Sequence, residues 1–568
     1  MPPAKRANQA ELFTASSAKE IRDLLWKAAD KLRGSLDAAQ YKEFVLELIF
    51  LKYVSDAFDE RRTALAKELA DEGMPEERQA EFLEDKDEYT GHNIFWVPEE
   101  ARWSWISGKA KTQSVGELLN NALDTIMREN AALTGTLSKV FNEDRVDQKI
   151  VAGLVDLINN AKFSGYGDRR AQDVLGEVYE YFLGNFARAE GKKGGEFYTP
   201  ASVVRLLVEI LEPYEGRVYD PCCGSGGMFV QAGKFIEAHA GQKSNISVFG
   251  QELNERTWRL AKMNLAIHGI DGNLGPRWGN TFDDDKHPDL KADFILANPP
   301  FNIKDWPRNV EDPRWKYGVP PANNANYAWL QHMISKLGER GTAGIVLANG
   351  SMSSQQNGEG EIRKQLIEHD LVACMVALPP QLFRTTQIPA CLWFLTRDKT
   401  PQGGRRMTER RGEILFIDAR NMGTMIDRTE RVLTEDDLAK IAGVYHAWRG
   451  TVSARSAGLE YADEPGFCFS ADLETVRSHD YALTPGRYVG AVEAEEEDAE
   501  ALAEKIAGLK KELFQLFDKS DELARTVRDQ LGRLDGGTAG EQGHYEKFDT
   551  KRRALETVRV DESSLRDE

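Results

Sequence analysis

Near the middle of the chain, Asn298-Pro299-Pro300-Phe301 combines an amide, a rigid turn and an aromatic ring. The amide oxygen of Asn298 and the backbone carbonyl of Pro299 can accept both hydrogens of an exocyclic amine. Phe301 can stack on the planar base that carries that amine. Taken alone, the tetrapeptide also fits an ordinary proline-rich loop. A second chemistry-bearing stretch lies upstream. The glycine-rich turn Pro221-Cys222-Cys223-Gly224-Ser225-Gly226-Gly227 follows Asp220 and would let a ligand approach the backbone closely. By itself that turn suits any nucleotide fold. Glu252 closes a strand pattern, where a carboxylate suits ribose hydroxyls. Gly279-Asn280-Thr281-Phe282, ahead of Asp293, is a third candidate. Thr199 reads as a helix N-cap with Pro200 at the first helical position; such a start can bind a carboxylate or can simply be a cap. No G-x-x-x-x-G-K-[ST] occurs, so ATP binding by a P-loop is unsupported.

These residues need a scaffold, and the hydrophobic pattern supplies one. Phe294-Ile295-Leu296-Ala297 reads as a buried parallel strand, and two successive prolines stop it. Asn298 is thereby presented at the carboxyl end of a strand, where open α/β sheets place ligands. Arg217 to Asp220 and Ile246 to Gly250 are further strands, with helical patterns over Val203 to Leu211 and Met228 to His239. Gly344 to Ala348, Val372 to Leu378 and Ala390 to Leu395 extend the sheet, covered by helices such as Tyr327 to Leu337. Cys374 and Cys391 then fall in the core. Phe383 is either a second stacking ring or a core residue. The segment Pro307 to Asn326 is expected as a mobile loop whose composition permits contact with a target strand.

Gly195-Glu196-Phe197-Tyr198-Thr199-Pro200, then Asp220 to Gly226, then Glu252, then Asn298 to Phe301 resembles the amino-methyltransferases of DNA in motif order. The resemblance covers about residues 170–480, and the nearest likeness is to the modification subunit of type I restriction–modification systems. The stretch Leu25-Trp26-Lys27-Ala28-Ala29-Asp30-Lys31-Leu32-Arg33 and the helix running on to Arg62 also resemble that subunit's helical domain. The resemblance implies a Rossmann-like methyltransferase domain using S-adenosyl-L-methionine and no metal. It implies that Glu196, Phe197, Tyr198, Thr199 and Pro200 line the cofactor. Asp220, Cys222, Gly224, Ser225 and Gly226 would shape its methionine pocket, and Glu252 would hold its ribose. Asn280 stands where the family commonly has aspartate beside the adenine; its amide oxygen can still accept, but the negative charge is absent. Asn298, Pro299, Pro300 and Phe301 would form the catalytic loop, with Asn298 also beside the cofactor. The implied reaction is methylation of adenine N6 in a base flipped out of double-stranded DNA. Implied partners are a specificity subunit, a restriction (nuclease and translocase) subunit and a second modification subunit.

Other readings remain. Cytosine N4 or a protein glutamine amide could be the acceptor, or the chain could be a non-catalytic scaffold. A nicotinamide dehydrogenase is disfavoured, because Glu252 falls 32 positions after Asp220 and Asn298 to Phe301 would be left unexplained.

Composition frames this reading. At 568 residues, 41% hydrophobic and 29% charged, the chain suits a multidomain globular protein. No apolar run spans a membrane, and the N-terminus lacks a signal-peptide block, so a cytoplasmic setting is expected. None of the five cysteines forms a C-x-x-C pair, which disfavours zinc or a disulfide framework. A net charge of −19 opposes an unaided grip on DNA. Three regions are expected: a helical domain over 1–165, the α/β domain over 166–480, and a C-terminal region over 481–568 for subunit assembly. In the first, Tyr41, Phe44, Val45, Leu48, Ile49 and Phe58 keep helical spacing, as do Leu118, Leu119, Leu123, Ile126 and Met127. An irregular stretch with Trp96, Trp103 and Trp105 is expected between them, and glycines near Gly165 suggest the boundary. In the last region, Leu502, Ile506, Leu509, Leu513, Leu516, Leu523, Val527 and Leu534 keep near-heptad spacing. This predicts a coiled-coil-like helix that docks on a partner or folds back on its own chain.

Overall fold

The computed structural model describes residues 38–92, 94–110, 114–142, 147–159, 199–239, 241, 245–383, 389–401, 407–490, 510, 514–520 and 522–527. Two compact units divide the chain, Met1–Ala491 and Val492–Glu568.

The first unit opens with helices. On α1 (Ala38–Asp71), Phe44, Val45, Leu48, Ile49 and Phe58 are buried, as their spacing predicts. The stretch expected to be irregular is corrected in part: Trp103 and Trp105 lie on a short helix, α2 (Trp103–Lys109). Seven residues are too few to show a helical period, and tertiary contacts fix this helix instead. The Trp103 N–H donates to Ser55 Oγ at 2.7 Å, and its indole N–H donates to Asn159 Oδ1 at 2.9 Å. Helices α3 (Val115–Glu129) and α4 (Gln148–Asn159) close the cluster. The glycines around Gly165 lie outside the described residues.

Helix α5 (Ala201–Leu211) leads into β1 (Gly216–Asp220), α6 (Gly227–Ala238), β2 (Ile246–Gly250), α7 (Glu255–Ile267) and β3 (Gly272–Asn273). The chain then crosses to β4 (Ala292–Ala297), α8 (Asn326–Lys336), β5 (Leu337–Ala348), β6 (Val372–Ala377), β7 (Ala390–Thr396) and β8 (Glu413–Asp418). A small hairpin, β9 (Thr424–Met425) with β10 (Arg431–Val432), precedes β11 (Cys468–Asp472). The sheet has nine strands in the order β11-β8-β6-β7-β5-β4-β1-β2-β3. All pairings are parallel except those of β7 with β5 and β6 and of β11 with β8. Strands β6 and β7 are buried throughout, as strands covered on both faces must be. Cys374 and Cys391 are core residues, as expected.

One topological fact positions the site. From β1 the chain winds outward through β2 and β3, then returns to place β4 on the other side of β1. Such a reversal opens a crevice beyond the carboxyl ends of the two central strands. Asp220 ends β1, and Asn298 follows β4.

In the second unit, residues 514–520 and 522–527 are helical, and Phe514, Leu516, Phe517, Leu523 and Val527 are exposed there. Leu502, Ile506, Leu509, Leu513 and Leu534 lie outside the described residues. Among the described residues no helix is long and apolar enough to cross a membrane.

Candidate active site

The crevice between β1 and β4 is built from three turns. The first follows β1. Asp220 is buried, and its Oδ1 accepts from the Cys222 N–H at 2.9 Å. Burial raises its carboxyl to about 7, the Cys222 N–H opposes the rise, and nearby Glu252 adds to it. Gly224 and Gly226 take φ values of +54° and +78°, which a side chain would strain. A Cβ on Gly224 would point into open space, so the turn forms a shallow cradle beside Asp220. Ser225 is held through its carbonyl, which accepts from Asn264 Nδ2 at 2.8 Å. Burial pushes the Cys222 thiol well above its usual value, which makes it a poor nucleophile.

The second turn follows β2. Glu252 Oε2 accepts from the Gly224 N–H at 3.1 Å, and Oε1 accepts from the Asn254 N–H at 2.8 Å. No motif or spacing marks Gln251, yet it is fully buried and organises the neighbouring loop. Its amide donates to the carbonyls of Gly279 and Asp284 at 3.0 and 2.8 Å, and its oxygen accepts from the Lys286 N–H at 2.9 Å. Asn280 sits in the loop thus held. Its Oδ1 accepts from the Phe282 N–H at 2.9 Å, so the amide closes a local turn.

The third turn follows β4. Asn298 Nδ2 donates to Thr199 Oγ1 at 2.8 Å, while Asn298 Oδ1 is buried with no hydrogen-bond partner among the described residues. A buried acceptor left open is costly unless something else fills it. Beyond Phe301 the chain turns through Asn302 at φ +54°. The Asn302 N–H donates to Asn326 Oδ1 at 3.0 Å, and Asn326 Nδ2 returns a bond to Asn302 Oδ1 at 2.9 Å. This pair seats the loop on the start of α8, a link that a sequence pattern does not carry.

One expectation is corrected, and another gains detail. Thr199 is not the N-cap of α5: Pro200 occupies that position with no side-chain cap, and the Thr199 hydroxyl is turned to Asn298 instead. The segment Pro307 to Asn326 is a loop up to the start of α8, as expected, but it is tied down at several points while Val310 and Val319 stay exposed. Trp306 and Trp315 are buried, and their indoles donate to the carbonyls of Pro321 and Asn309. Arg314 pairs with Asp312 and donates to the carbonyls of Thr281 and Phe282 and to His332 Nδ1. With Nδ1 accepting, the opposite nitrogen of His332 carries the hydrogen that faces the Tyr219 hydroxyl at 3.0 Å. Burial, then the Arg314 charge, lowers the His332 imidazole to about 3 and keeps it neutral. Glu196, Phe197 and Tyr198 lie outside the described residues. The remaining expected residues, Thr199, Pro200, Asp220, Cys222, Gly224, Ser225, Gly226, Glu252 and Asn298 to Phe301, fall on the three turns or at the adjoining start of α5, and Asn280 lies in the loop between β3 and β4 that Gln251 holds.

Chemically, the crevice offers two carboxylates and a glycine cradle on one side and an open amide acceptor with an aromatic ring on the other. The first half suits a cationic ligand with vicinal hydroxyls, and the second a planar amine.

Comparison with known proteins narrows this. The family model described as N-6 DNA Methylase matches residues 170–498, and the one described as HsdM N-terminal domain matches residues 21–161. The chain is 49% identical over 458 residues to the type I restriction enzyme HindI methylase subunit of Haemophilus influenzae, covering 77% of this chain and 99% of that protein. It is 36% identical over 530 residues to the MjaIX methylase subunit of Methanocaldococcus jannaschii, covering 91% of each. Among solved structures, a type I restriction–modification methyltransferase subunit from Streptococcus thermophilus superposes with a TM-score of 0.67 at 25% identity, covering 83% of this chain and 99% of that one.

Proposed function

The chain belongs to the N-6 DNA methylase family, as a methylase subunit of the type I restriction–modification kind, and from this premise we propose how its residues divide the work. The reaction is adenine-specific DNA methylation at N6. Cytosine N4 and protein glutamine, which the same tetrapeptide serves elsewhere, are not favoured, because the full-length likeness is to type I subunits.

S-adenosyl-L-methionine supplies an electrophilic methyl group on a positively charged sulfur. The first two turns fit it: the Gly224 cradle is open, Asp220 places beside it a carboxyl that a cationic ligand would hold ionised, and Glu252 offers acceptors for ribose hydroxyls. Asn298 Oδ1 and the Pro299 carbonyl hold the two hydrogens of N6. That nitrogen is a weak nucleophile while its lone pair is delocalised into the ring. Two acceptors favour a tetrahedral nitrogen and free the pair, an interaction made mainly in the transition state. The target must leave the duplex, at a cost of a few kcal/mol. Stacking on Phe301 offsets roughly 1–3 kcal/mol of it. Double-stranded DNA is the substrate. A specificity subunit, a restriction subunit and a second copy of this chain are the proposed partners, with the helical part of residues 481–568 as the docking element.

One observation carries the reading: the buried Oδ1 of Asn298, just after β4, without a hydrogen-bond partner among the described residues. Sequencing that detects N6-methyladenine tests it in a host strain carrying the chain, lacking it, or carrying Asn298→Ala. Modified sites should appear only with the first. Restoration of modification by Asn298→Ala would sink the assignment.

A further inference from the structure

Thr199 and Asn298 are far apart in sequence yet bonded side chain to side chain, and each is followed by a proline. A residue before proline is confined to extended backbone, so both main chains are held rigidly at this point. Pro200 caps α5, whose Val203, Leu206, Leu207 and Ile210 are buried, which anchors Thr199 to the core. The end of β4 anchors Asn298 equally. What remains soft is the Asn298 side chain. The terminal torsion of asparagine has a broad, roughly two-fold profile, so an unrestrained amide swings and can exchange its oxygen and nitrogen ends.

We propose that Thr199 is a positioning residue for methyl transfer, acting by anchoring the NH2 end of the Asn298 amide so that Oδ1 faces the incoming adenine amine. The inference rests on the reading of Asn298 as the catalytic acceptor. A hydroxyl can accept from the NH2 end or donate to the oxygen end, so by itself it holds the plane of the amide. The adenine amine presents hydrogens to this edge and selects the oxygen; the hydroxyl then answers as acceptor. The NH2 end then has a partner in the Thr199 oxygen, and Oδ1 is left without a partner among the described residues. Without the hydroxyl, NH2 turns toward other carbonyls and can meet the adenine amine donor to donor. The Thr199 oxygen thus accepts from the catalytic amide, although the segment it closes lies in the cofactor-binding motif; on this inference its contribution is to the rate and not to cofactor affinity.

The test uses the full chain assembled with its specificity subunit and a DNA duplex containing the recognised site. Thr199→Val keeps the shape and removes the hydroxyl; Thr199→Ser keeps the hydroxyl. Single-turnover methylation should fall about 10- to 100-fold in the valine variant, in keeping with loss of positioning at a reacting centre, and serine should restore it to within a few-fold. The affinity for S-adenosyl-L-methionine by calorimetry and the melting temperature should match wild type in both. Adding Thr199→Val to Asn298→Ala should cause no further loss, since the two act as a unit. An undiminished rate in Thr199→Val, or cofactor affinity falling in step with the rate, overturns the inference. A valine variant that melts early leaves the serine variant and the double-variant comparison to decide: failure of serine to rescue, or a further loss in the double variant, also overturns it. Asn298→Ala tells the two readings apart: if it methylates normally, the catalytic reading fails; if it is inactive while Thr199→Val is fully active, only the role of Thr199 fails.

Discussion

The rings of Phe301 and Phe383 meet edge to face, with centroids 6.0 Å apart and planes at 69°. Phe383 is 4% exposed and belongs to a hydrophobic core against which Phe301 packs, so its ring backs Phe301 and does not lie open as a second stacking surface. Of the two roles open to Phe383 from sequence, the core one is supported.

The two phenylalanines should therefore fail differently. Phe301→Ala removes the stacking partner, and roughly 1–3 kcal/mol should disappear from kcat/KM with little change in melting temperature. Phe383→Ala leaves a cavity and should cost about 3–5 kcal/mol of folding stability. Equal melting temperatures for the two variants would count against this division.

The sheet was legible because parallel strands buried on both faces read as unbroken apolar runs, as in Phe294 to Ala297. The turn from Asn298 to Phe301 was legible as a stop, because two prolines end a strand; its proposed role was legible only through the order of the motifs around it. Gln251, Arg314 and the Asn302–Asn326 pair were not. Each acts through hydrogen bonds to backbone groups distant in sequence, and no periodicity or spacing marks such a role. Thr199 was misplaced for the same reason: a threonine before a helical proline has the chemistry of a cap, and only the fold brings Asn298 to its hydroxyl. Trp103 and Trp105 were missed as helical because their helix is shorter than two turns of pattern.

Glu252 should be essential for cofactor affinity beyond any ribose contact, because it also accepts from the Gly224 N–H. Glu252→Ala is expected to weaken S-adenosyl-L-methionine binding by about 1–3 kcal/mol, or more if the glycine turn loosens. Calorimetry on the full chain checks this, and unchanged affinity would remove Glu252 from the site.

Asp220 gives a pH signature. Its folded-state carboxyl lies near 7, above the ordinary 3.8, because burial favours the neutral acid. A carboxyl raised in this way binds its proton more tightly when folded, so cofactor-free stability should fall as pH rises from about 4 to 7 and level off above. Asp220→Asn should abolish that decline, opening a stability advantage at pH 8 on the order of 2–4 kcal/mol. A positively charged ligand favours the ionised form, so wild-type cofactor affinity should tighten through the same range while the variant stays weak. Denaturation and calorimetry at pH 5 and pH 8 give both readings; parallel pH profiles for the two proteins would contradict the argument.

Arg314 holds the loop containing Asn280 from outside, through the carbonyls of Thr281 and Phe282. Arg314→Met removes its bonds to Asp312 and His332 as well, and breaking a part-buried pair of this kind costs about 3–5 kcal/mol. Its melting temperature should drop, and cofactor affinity at low temperature should drop with it. A destabilised variant with wild-type affinity would show that this loop does not reach the cofactor.

The C-terminal unit should be dispensable for cofactor binding and indispensable for assembly. In its described helical stretches, Leu516, Leu523 and Val527 are all exposed; Leu523 and Val527, four apart on one stretch, share a face, and Leu516 precedes Leu523 by one heptad in sequence. An apolar seam of this kind is stabilised by burial against another surface. The first unit already contains its own hydrophobic cores and the three turns of the crevice. The net charge of −19 also disfavours an extended grip on phosphates by this chain alone, since each neutralised phosphate adds affinity through counterion release. Deleting residues 499–568 should therefore leave a folded protein that binds S-adenosyl-L-methionine but no longer co-purifies with the specificity subunit and no longer methylates a defined site. Replacing Leu516 and Leu523 with lysine in the full chain should reproduce the loss without shortening the protein. A truncated chain that still assembles and methylates one sequence would move the docking role elsewhere, and a full chain that methylates a defined site unaided would remove the need for the partner.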